Sequence, residues 1–280
     1  MLFNNPPKIL SHISALDSGN FVTPEYILNK GDSKINLMRR YCPHRMYPLH
    51  KVGQHVDQIV CNFHGFEWDK NGTPLNNDRK LNCGLASIGR SGLVFTNFTE
   101  PNHQWVDDLA SEENLKFSHV TTGTSVGSWL WMMEIQVDLL HIRAGEDVVH
   151  PWLSSIEDLE EVNMDSGEGW IIQTCSTGWW LCIYPFTFIE WSPGCLGINY
   201  TIPNDPNYEF GFSWMTQFYY SPEISQERKT RFEKLEDVFH EDVLAIESQK
   251  GPYYPLMKAV NRLEEHCIHY GKWITKNRSQ

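Results

Sequence analysis

The sequence predicts an α+β protein in which a small antiparallel β domain precedes a second antiparallel sheet flanked by helices. Three features carry that prediction. Short β-favouring runs broken by glycine, asparagine and proline fill the first hundred or so residues, longer β runs return between 152 and 220, and an amphipathic helical stretch follows. With 280 residues, 41% of them hydrophobic and 13% aromatic, the chain can bury two cores and is too apolar to be disordered.

In chain order, Ile9 to Ile13, Tyr26 to Leu28, Ile35 to Arg40 and Leu93 to Phe98 are the expected strands of the first domain. Asp69-Lys70-Asn71-Gly72 is an expected hairpin turn, because asparagine and glycine tolerate the positive φ such turns need. The polar run Glu100 to Asn114 separates two differently patterned regions and places the domains at 1–105 and 106–280. Trp129 to Ala144 is the first expected helix, dense in apolar residues and poor in breakers. Strands then follow at Trp170 to Thr174, Trp179 to Trp191 and Phe210 to Tyr220, set off by Gly178, Pro193, Gly194 and Pro203. Ser221-Pro222-Glu223 has the pattern of a cap with proline at the first helical position, opening a helix to Gln249 that Gly251 and Pro252 close. A last helix is expected from Leu256 to Tyr270.

The net charge of −12 argues against nucleic acid as a partner. No run of about 18 apolar residues is present to cross a bilayer, and the N-terminus lacks a signal peptide's pattern, so a cytoplasmic protein is expected. Seven cysteines suit no paired disulfide framework, and Cys83, Cys175, Cys182, Cys195 and Cys267 read most simply as small buried hydrophobes.

The chemistry-bearing stretch is Cys42-Pro43-His44-Arg45 followed by Cys61-Asn62-Phe63-His64-Gly65-Phe66-Glu67-Trp68-Asp69. Each short loop offers one thiolate and one imidazole, and 16 residues separate His44 from Cys61, enough for an out-and-back hairpin. Zinc fingers usually present their cysteines as one pair and their histidines as another. Mixed loops suit a [2Fe-2S] cluster in which Cys42 and Cys61 hold one iron while His44 and His64 hold the other.

These motifs resemble the Rieske domain of Rieske non-heme iron oxygenases, whose pattern is Cys-Pro-His-Arg and then Cys-Pro-Tyr-His-Gly-Trp-x-Phe-Asp. Asn62 and Phe63 replace the proline and tyrosine, which spares the ligands, and Gly92-Leu93-Val94-Phe95 is similar to the strand that closes such domains. The resemblance implies a Rieske-type antiparallel β domain followed by a helix-grip (START-like) antiparallel sheet with flanking helices. It also implies a mononuclear Fe(II) site in the second domain.

Glu134, Asp138 and His141 stand at i, i+4 and i+7, so a continuous helix would carry them on one face. By resemblance, His141 is the first iron ligand, in a site of two histidines and one carboxylate that leaves positions open for dioxygen and substrate. The family's second histidine comes five residues later, where this chain has Glu146; the histidine followed by proline is instead His150, and imidazole suits the site better. A continuous helix would carry His150 away from His141, so it must stop between them, with Gly145 a plausible cap.

The carboxylate emerges from patterning alone. Leu235, Phe239, Asp242 and Ile246 share one helical stripe, and an acid in an apolar stripe must be paired or metal-bound. A salt bridge to arginine is the alternative to a metal there. Phe239-His240-Glu241-Asp242 also resembles the family segment whose aspartate is the ligand, and His240 falls off the stripe. Asp138, by the same resemblance, links His141 to His64 of the partner subunit in a head-to-tail ring, commonly a homotrimer.

The implied activity is that of an oxygenase component, using O2 and electrons from a separate reductase or ferredoxin to hydroxylate or oxidatively dealkylate a small organic substrate. Monooxygenation is favoured over dioxygenation. Arg39, Arg40 and Arg45 are a candidate patch for the electron donor, and Trp170, Trp179, Trp180, Trp191 and Trp214 are candidate pocket walls for an arene or a quaternary ammonium group. Two other readings stay open: a Rieske-type electron-transfer protein with a non-catalytic second domain, and a zinc-stabilised binding module. The remaining histidines, His12, His50, His55, His103, His119, His266 and His269, have no companion ligands at sensible spacing.

Overall fold

The computed structural model describes residues 8–31, 34–96, 101–143, 162–205, 208–249, 251–259 and 262–278. They fall into two compact units, one running to Gly123 and including Gln217–Pro222, the other comprising Thr124–Thr216 and the chain from Glu223.

The first unit is built from short strands: β1 (Lys8–His12), β2 (Asn20–Val22), β3 (Tyr26–Lys30), β4 (Ile35–Arg39), β5 (His55–Val56), β6 (Ile59–Cys61), β7 (Phe66–Trp68), β8 (Asn82–Ile88) and β9 (Leu93–Thr96). Seven of them form an antiparallel sheet in the order β1-β9-β8-β4-β3-β2-β5, while β6 and β7 pair as a separate hairpin. Val22, Ile27, Met38, Leu49, Ile59, Trp68 and Leu81 make the core beneath that hairpin. The expected turn forms after β7, where Gly72 has φ 78° and Asp69 Oδ1 accepts from the backbone of Asn71 and Thr73.

The polar run 100–114, read from sequence only as a separator, contains helix α1 (Pro101–Glu112). Tertiary contacts explain it. Val106 and Ala110 are buried one turn apart, and the buried Asp107 carboxylate accepts from the backbone N–H groups of Arg90 and Ser91.

Strand β10 (Lys116–Ser128) begins in the first unit and leads, in the second, into α2 (Trp129–Ile135) and α3 (Leu140–Arg143). The expected continuous helix 129–144 is thus broken within its described part, and Gly145 lies outside the described residues. The break has a physical cause: the Val137 carbonyl leaves the helical ladder and accepts from Gln173 Nε2 at 2.9 Å. Five strands then run as an antiparallel meander: β11 (Asn163–Gly167), β12 (Trp170–Cys175), β13 (Gly178–Ile183), β14 (Thr187–Ser192) and β15 (Cys195–Pro203). With β16 (Phe210–Tyr220) the sheet order is β10-β16-β15-β14-β13-β12-β11.

The long helix is two, α4 (Gln226–Glu233) and α5 (Leu235–Ser248), and its cap is Ser225 rather than Ser221, with Ser225 Oγ accepting from Arg228 N–H. The final helix, α6 (Glu265–Arg278), begins later than its sequence pattern suggests. Upstream of it, the Tyr253 backbone N–H and hydroxyl are drawn to Glu209 and Glu134, which holds this stretch out of a helix. Residues of α2, α5, α6 and the sheet share one core, which gives the α+β, helix-grip arrangement.

α5 is held tightly against β10. Glu247 accepts from Ser125 Oγ at 2.7 Å, and a Cβ at Gly127 would sit 2.7 Å from Ile246 Cγ2. Gly127→Ala should therefore destabilise the protein by about 1–3 kcal/mol in denaturant unfolding, and Ile246→Val in the same chain should restore part of the loss.

Candidate metal centres

Both loops of the first centre are closed by the same device. Met46 N–H donates to the Cys42 carbonyl and Gly65 N–H to the Cys61 carbonyl, each at 2.8 Å. The donor residue is left-handed in both, at φ 54° for Met46 and 69° for Gly65. Nothing crowds a Cβ at Gly65, so glycine serves there for its backbone freedom alone. Arg79 donates to the Pro43 carbonyl at 2.9 Å and Asn76 to the Gly65 carbonyl at 2.8 Å, which ties each loop to the segment after β7.

The result sorts the four side chains by type. Cys42 and Cys61 are buried at 1% exposure, and the two Nδ1 atoms of His44 and His64 lie 3.2 Å apart towards solvent. Two nitrogens bound to one tetrahedral metal at about 2.0–2.1 Å would stand about 3.3 Å apart, so the imidazoles fit a shared metal. Burial pushes the Cys42 thiol up, and the neighbouring Cys61 adds to the shift while backbone N–H groups of His44 and Arg45 oppose it. Desolvation and the positive neighbours His64, Arg45 and Arg79 hold His44 below its usual range, in the neutral form a ligand needs. Among the described residues no three His, Cys, Asp or Glu side chains converge on one point. Convergence in pairs, sulfur with sulfur and nitrogen with nitrogen, is what a cluster of two irons requires.

The second centre gathers around the break between α2 and α3. Asp138 lies in the connection, and its Oδ1 accepts from Leu140 N–H at 2.9 Å, which starts α3. The Asp138 backbone carbonyl, rather than its carboxylate, accepts from His141 Nδ1. That bond leaves the Nε2 lone pair of His141 directed away, and Nε2 stands 3.5 Å from Asp242 Oδ1. Ligand atoms at about 2.0–2.2 Å from one tetrahedral metal lie about 3.3–3.6 Å apart, so this pair also fits a shared ion. His150 and Glu146 lie outside the described residues.

Phe239, Asp242 and Ile246 are all buried and His240 is exposed, as the stripe predicts. Gln136 Nε2 donates to Asp242 Oδ2 at 3.5 Å. Burial raises Asp138, a shift partly offset by His141, and pushes Glu134 up to about 7 against the hydrogen bond from Tyr253. Glu190, which the sequence analysis passed over, is half-buried on β14, where burial and then the Asp242 carboxylate push it up to about 8. Its sequence signal was the one that found Asp242: a lone acid in an apolar run, here Thr187–Ser192.

Arg40 leaves the candidate donor patch. It is 6% exposed and its guanidinium is spent on the carbonyls of Pro24 and His50, whereas Arg39 and Arg45 are exposed. Several other histidines have structural partners: His12 meets the Ser91 carbonyl, His55 the Ala15 carbonyl and His269 the Tyr184 hydroxyl.

Comparison with known proteins bears on the domain and the fold. Residues 12–86 match the Rieske [2Fe-2S] domain, a span that contains Cys42, His44, Cys61 and His64. Solved structures match along 98% of the chain. A quaternary ammonium Rieske monooxygenase, CntA, aligns at TM-score 0.64 and 18% identity over 88% of its own length. NdmA of Pseudomonas putida CBB5 aligns at TM-score 0.57 and 18% identity over 90% of its length. No curated protein matches in sequence. Domain match and fold together define a chain of the Rieske oxygenase architecture. It carries a Rieske [2Fe-2S] domain and, later in the chain, a helix-grip sheet of the kind those structures have.

Glu134 supplies a pH test. Its acid is held above the ordinary 4.5, so the folded state binds more protons than the unfolded one between about 4.5 and 7. Stability from this group is full below that window and falls as pH rises through it. Glu134→Gln should flatten the decline in thermal stability between pH 5 and 7 (about the width of the shift), read by unfolding at fixed ionic strength.

Proposed function

We propose that the chain is the oxygenase component of a Rieske non-heme iron system that hydroxylates, or oxidatively dealkylates, a small organic substrate. The observation that carries this is the 3.5 Å approach of His141 Nε2 to Asp242 Oδ1, two side chains 101 positions apart in sequence with the types an open iron site uses. In this reading Cys42, His44, Cys61 and His64 hold the cluster, and His141, His150 and Asp242 hold the mononuclear Fe(II). When bound, that iron supplies dioxygen activation with electrons delivered through the cluster.

The chain's own residues have separable tasks. The Asp138 carbonyl fixes the His141 tautomer, and its carboxyl lies beside the same imidazole. The exposed His64 leaves an imidazole edge available to a neighbouring copy, so a homotrimeric ring would join Asp138 to His64 of the partner subunit. CntA is described in terms of inter-subunit electron transfer, and its structures include complexes with L-carnitine and gamma-butyrobetaine. NdmA has been solved with caffeine. The description of CntA as a monooxygenase favours monooxygenation here, and the reading includes a separate reductase or ferredoxin as electron source and a cytoplasmic setting. Among the described residues no helix is long and apolar enough to cross a membrane.

Metal and acid-labile sulfide analysis on anaerobically purified protein tests the reading. About three irons and about two sulfides per chain are expected, and Asp242→Asn should lose one iron and substrate-dependent oxygen uptake while keeping the cluster's visible spectrum. Two irons in the unmutated protein would make it an electron carrier instead. Zinc without sulfide would make it a binding module.

A further inference from the structure

Tyrosine and tryptophan give up an electron more readily than most side chains, and in the core of the second unit five of them stand ring against ring. Trp131 meets Tyr253 edge-on at 5.0 Å between ring centroids, and Tyr253 meets Tyr270 at 6.3 Å. Tyr270 meets Tyr184 at 5.1 Å, and Tyr184 meets Trp273 at 4.9 Å. Every step lies within the contact range of paired aromatics, a separation across which an electron tunnels fast. Tyr253, Tyr270 and Tyr184 are buried, while Trp273 at the far end is half-buried, so the row runs from α2 to solvent.

Packing alone accounts for five rings, but it does not ask buried hydroxyls to face proton acceptors. The Tyr253 hydroxyl donates to the Glu134 carboxylate, and the Tyr184 hydroxyl lies 3.1 Å from His269 Nδ1. A phenol that loses an electron becomes a strong acid, so a hydrogen-bonded base that takes the proton is what makes a buried tyrosine easy to oxidise. Burial holds the His269 imidazole below its ordinary range, hence neutral and able to accept, and makes the Glu134 carboxylate a better proton acceptor than an exposed one. The inner end of the row is joined to the second centre. The Glu134 carbonyl accepts from Asp138 N–H at 3.1 Å and the Asp138 carbonyl accepts from His141 Nδ1, which gives a path of covalent and hydrogen bonds from the His141 ring to the Tyr253 hydroxyl.

We infer that Trp131, Tyr253, Tyr270, Tyr184 and Trp273 form a protective relay that carries an oxidising equivalent from the second centre to the surface when no substrate consumes it. The origin of that equivalent rests on the oxygenase reading; the relay's ability to carry charge does not. A one-electron oxidant at the centre takes an electron from Tyr253, whose phenolic proton moves to Glu134. Tyr184 then restores that electron through Tyr270, Glu134 returns its proton to Tyr253, and the Tyr184 proton moves to His269. A soluble thiol or ascorbate supplies the last electron through Trp273, and His269 returns the proton to Tyr184.

The test uses iron-replete, substrate-free protein in alkaline buffer, where the Glu134 carboxyl is ionised. In one arm hydrogen peroxide is added and the sample is frozen for electron paramagnetic resonance. In the other a flash-generated ruthenium(III) polypyridyl complex oxidises the protein from outside, without use of the mononuclear iron. Both should raise a tyrosyl radical signal. Tyr253→Phe and Tyr184→Phe should each lose most of it, and Tyr254→Phe, which alters an exposed neighbour outside the row, should keep it. Peptide mapping after peroxide reads the direction: oxidised products should gather at Trp273 in the unmutated protein and shift to Tyr253 and Trp131 in Tyr184→Phe, a shift that loss of a packing contact would not produce. No tyrosyl signal in the unmutated protein, a signal that survives both substitutions, or oxidised products that do not reach Trp273 would overturn the inference. The unmutated measurements stand even if a variant does not fold. Iron counted on the same sample separates the two claims: about three irons per chain with no tyrosyl signal refutes only the relay, whereas about two refutes the oxygenase and leaves the ruthenium arm to decide the relay.

Discussion

Two buried thiols that touch, Cys42 and Cys61, cannot both ionise unless positive charge sits between them and the solvent. Burial and mutual repulsion raise Cys42, and the nearest relief comes from backbone N–H groups that the loop turns towards its sulfur. A metal cluster resolves the conflict, because a coordinating thiol is deprotonated outright. The rest of the first unit follows from keeping this pair inside and the two imidazoles outside. Met46 accepts a left-handed backbone that costs about 1–2 kcal/mol, Arg79 and Asn76 clamp the two loops, and Trp68 fills the floor.

The second centre depends on a helix that stops early. Had α2 run on to residue 143, the Val137 carbonyl would stay in the ladder and the Asp138 carbonyl would not reach the His141 ring. Gln173 takes the first of these carbonyls and His141 takes the second, so one break in the backbone both ends the helix and sets an imidazole tautomer. The carboxylate arrives from α5, whose end is pinned by Glu247 and by the missing side chain at Gly127. Asp242 is thus placed by rigid contacts, while its partner His141 is placed by a short, locally hydrogen-bonded turn.

The legible parts of the sequence were those in which one short stretch determines its own geometry. The two Cys/His loops, the Asp69–Gly72 turn and the Phe239/Asp242/Ile246 stripe could all be read locally, and the structure shows that turn and that stripe. What stayed hidden was decided by distant partners. Nothing near Val137 announces Gln173, and nothing near Asp107 announces the Arg90–Ser91 backbone that makes a helix of a polar run. The late start of α6 belongs to the same class, because Tyr253 is held by Glu209 and Glu134. Glu190 was legible by the rule that found Asp242, but its strand has a period of two and masks a single acid more easily than a helical stripe does.

The account stands on mixed sulfur and nitrogen ligation at Cys42, His44, Cys61 and His64, and a potentiometric titration of the purified protein, followed by visible absorption, measures it directly. Imidazole ligation of one iron predicts a midpoint between about −150 and +300 mV. A midpoint near about −400 mV, the value for all-thiolate clusters of the plant type, or no redox-active chromophore at all, would contradict it.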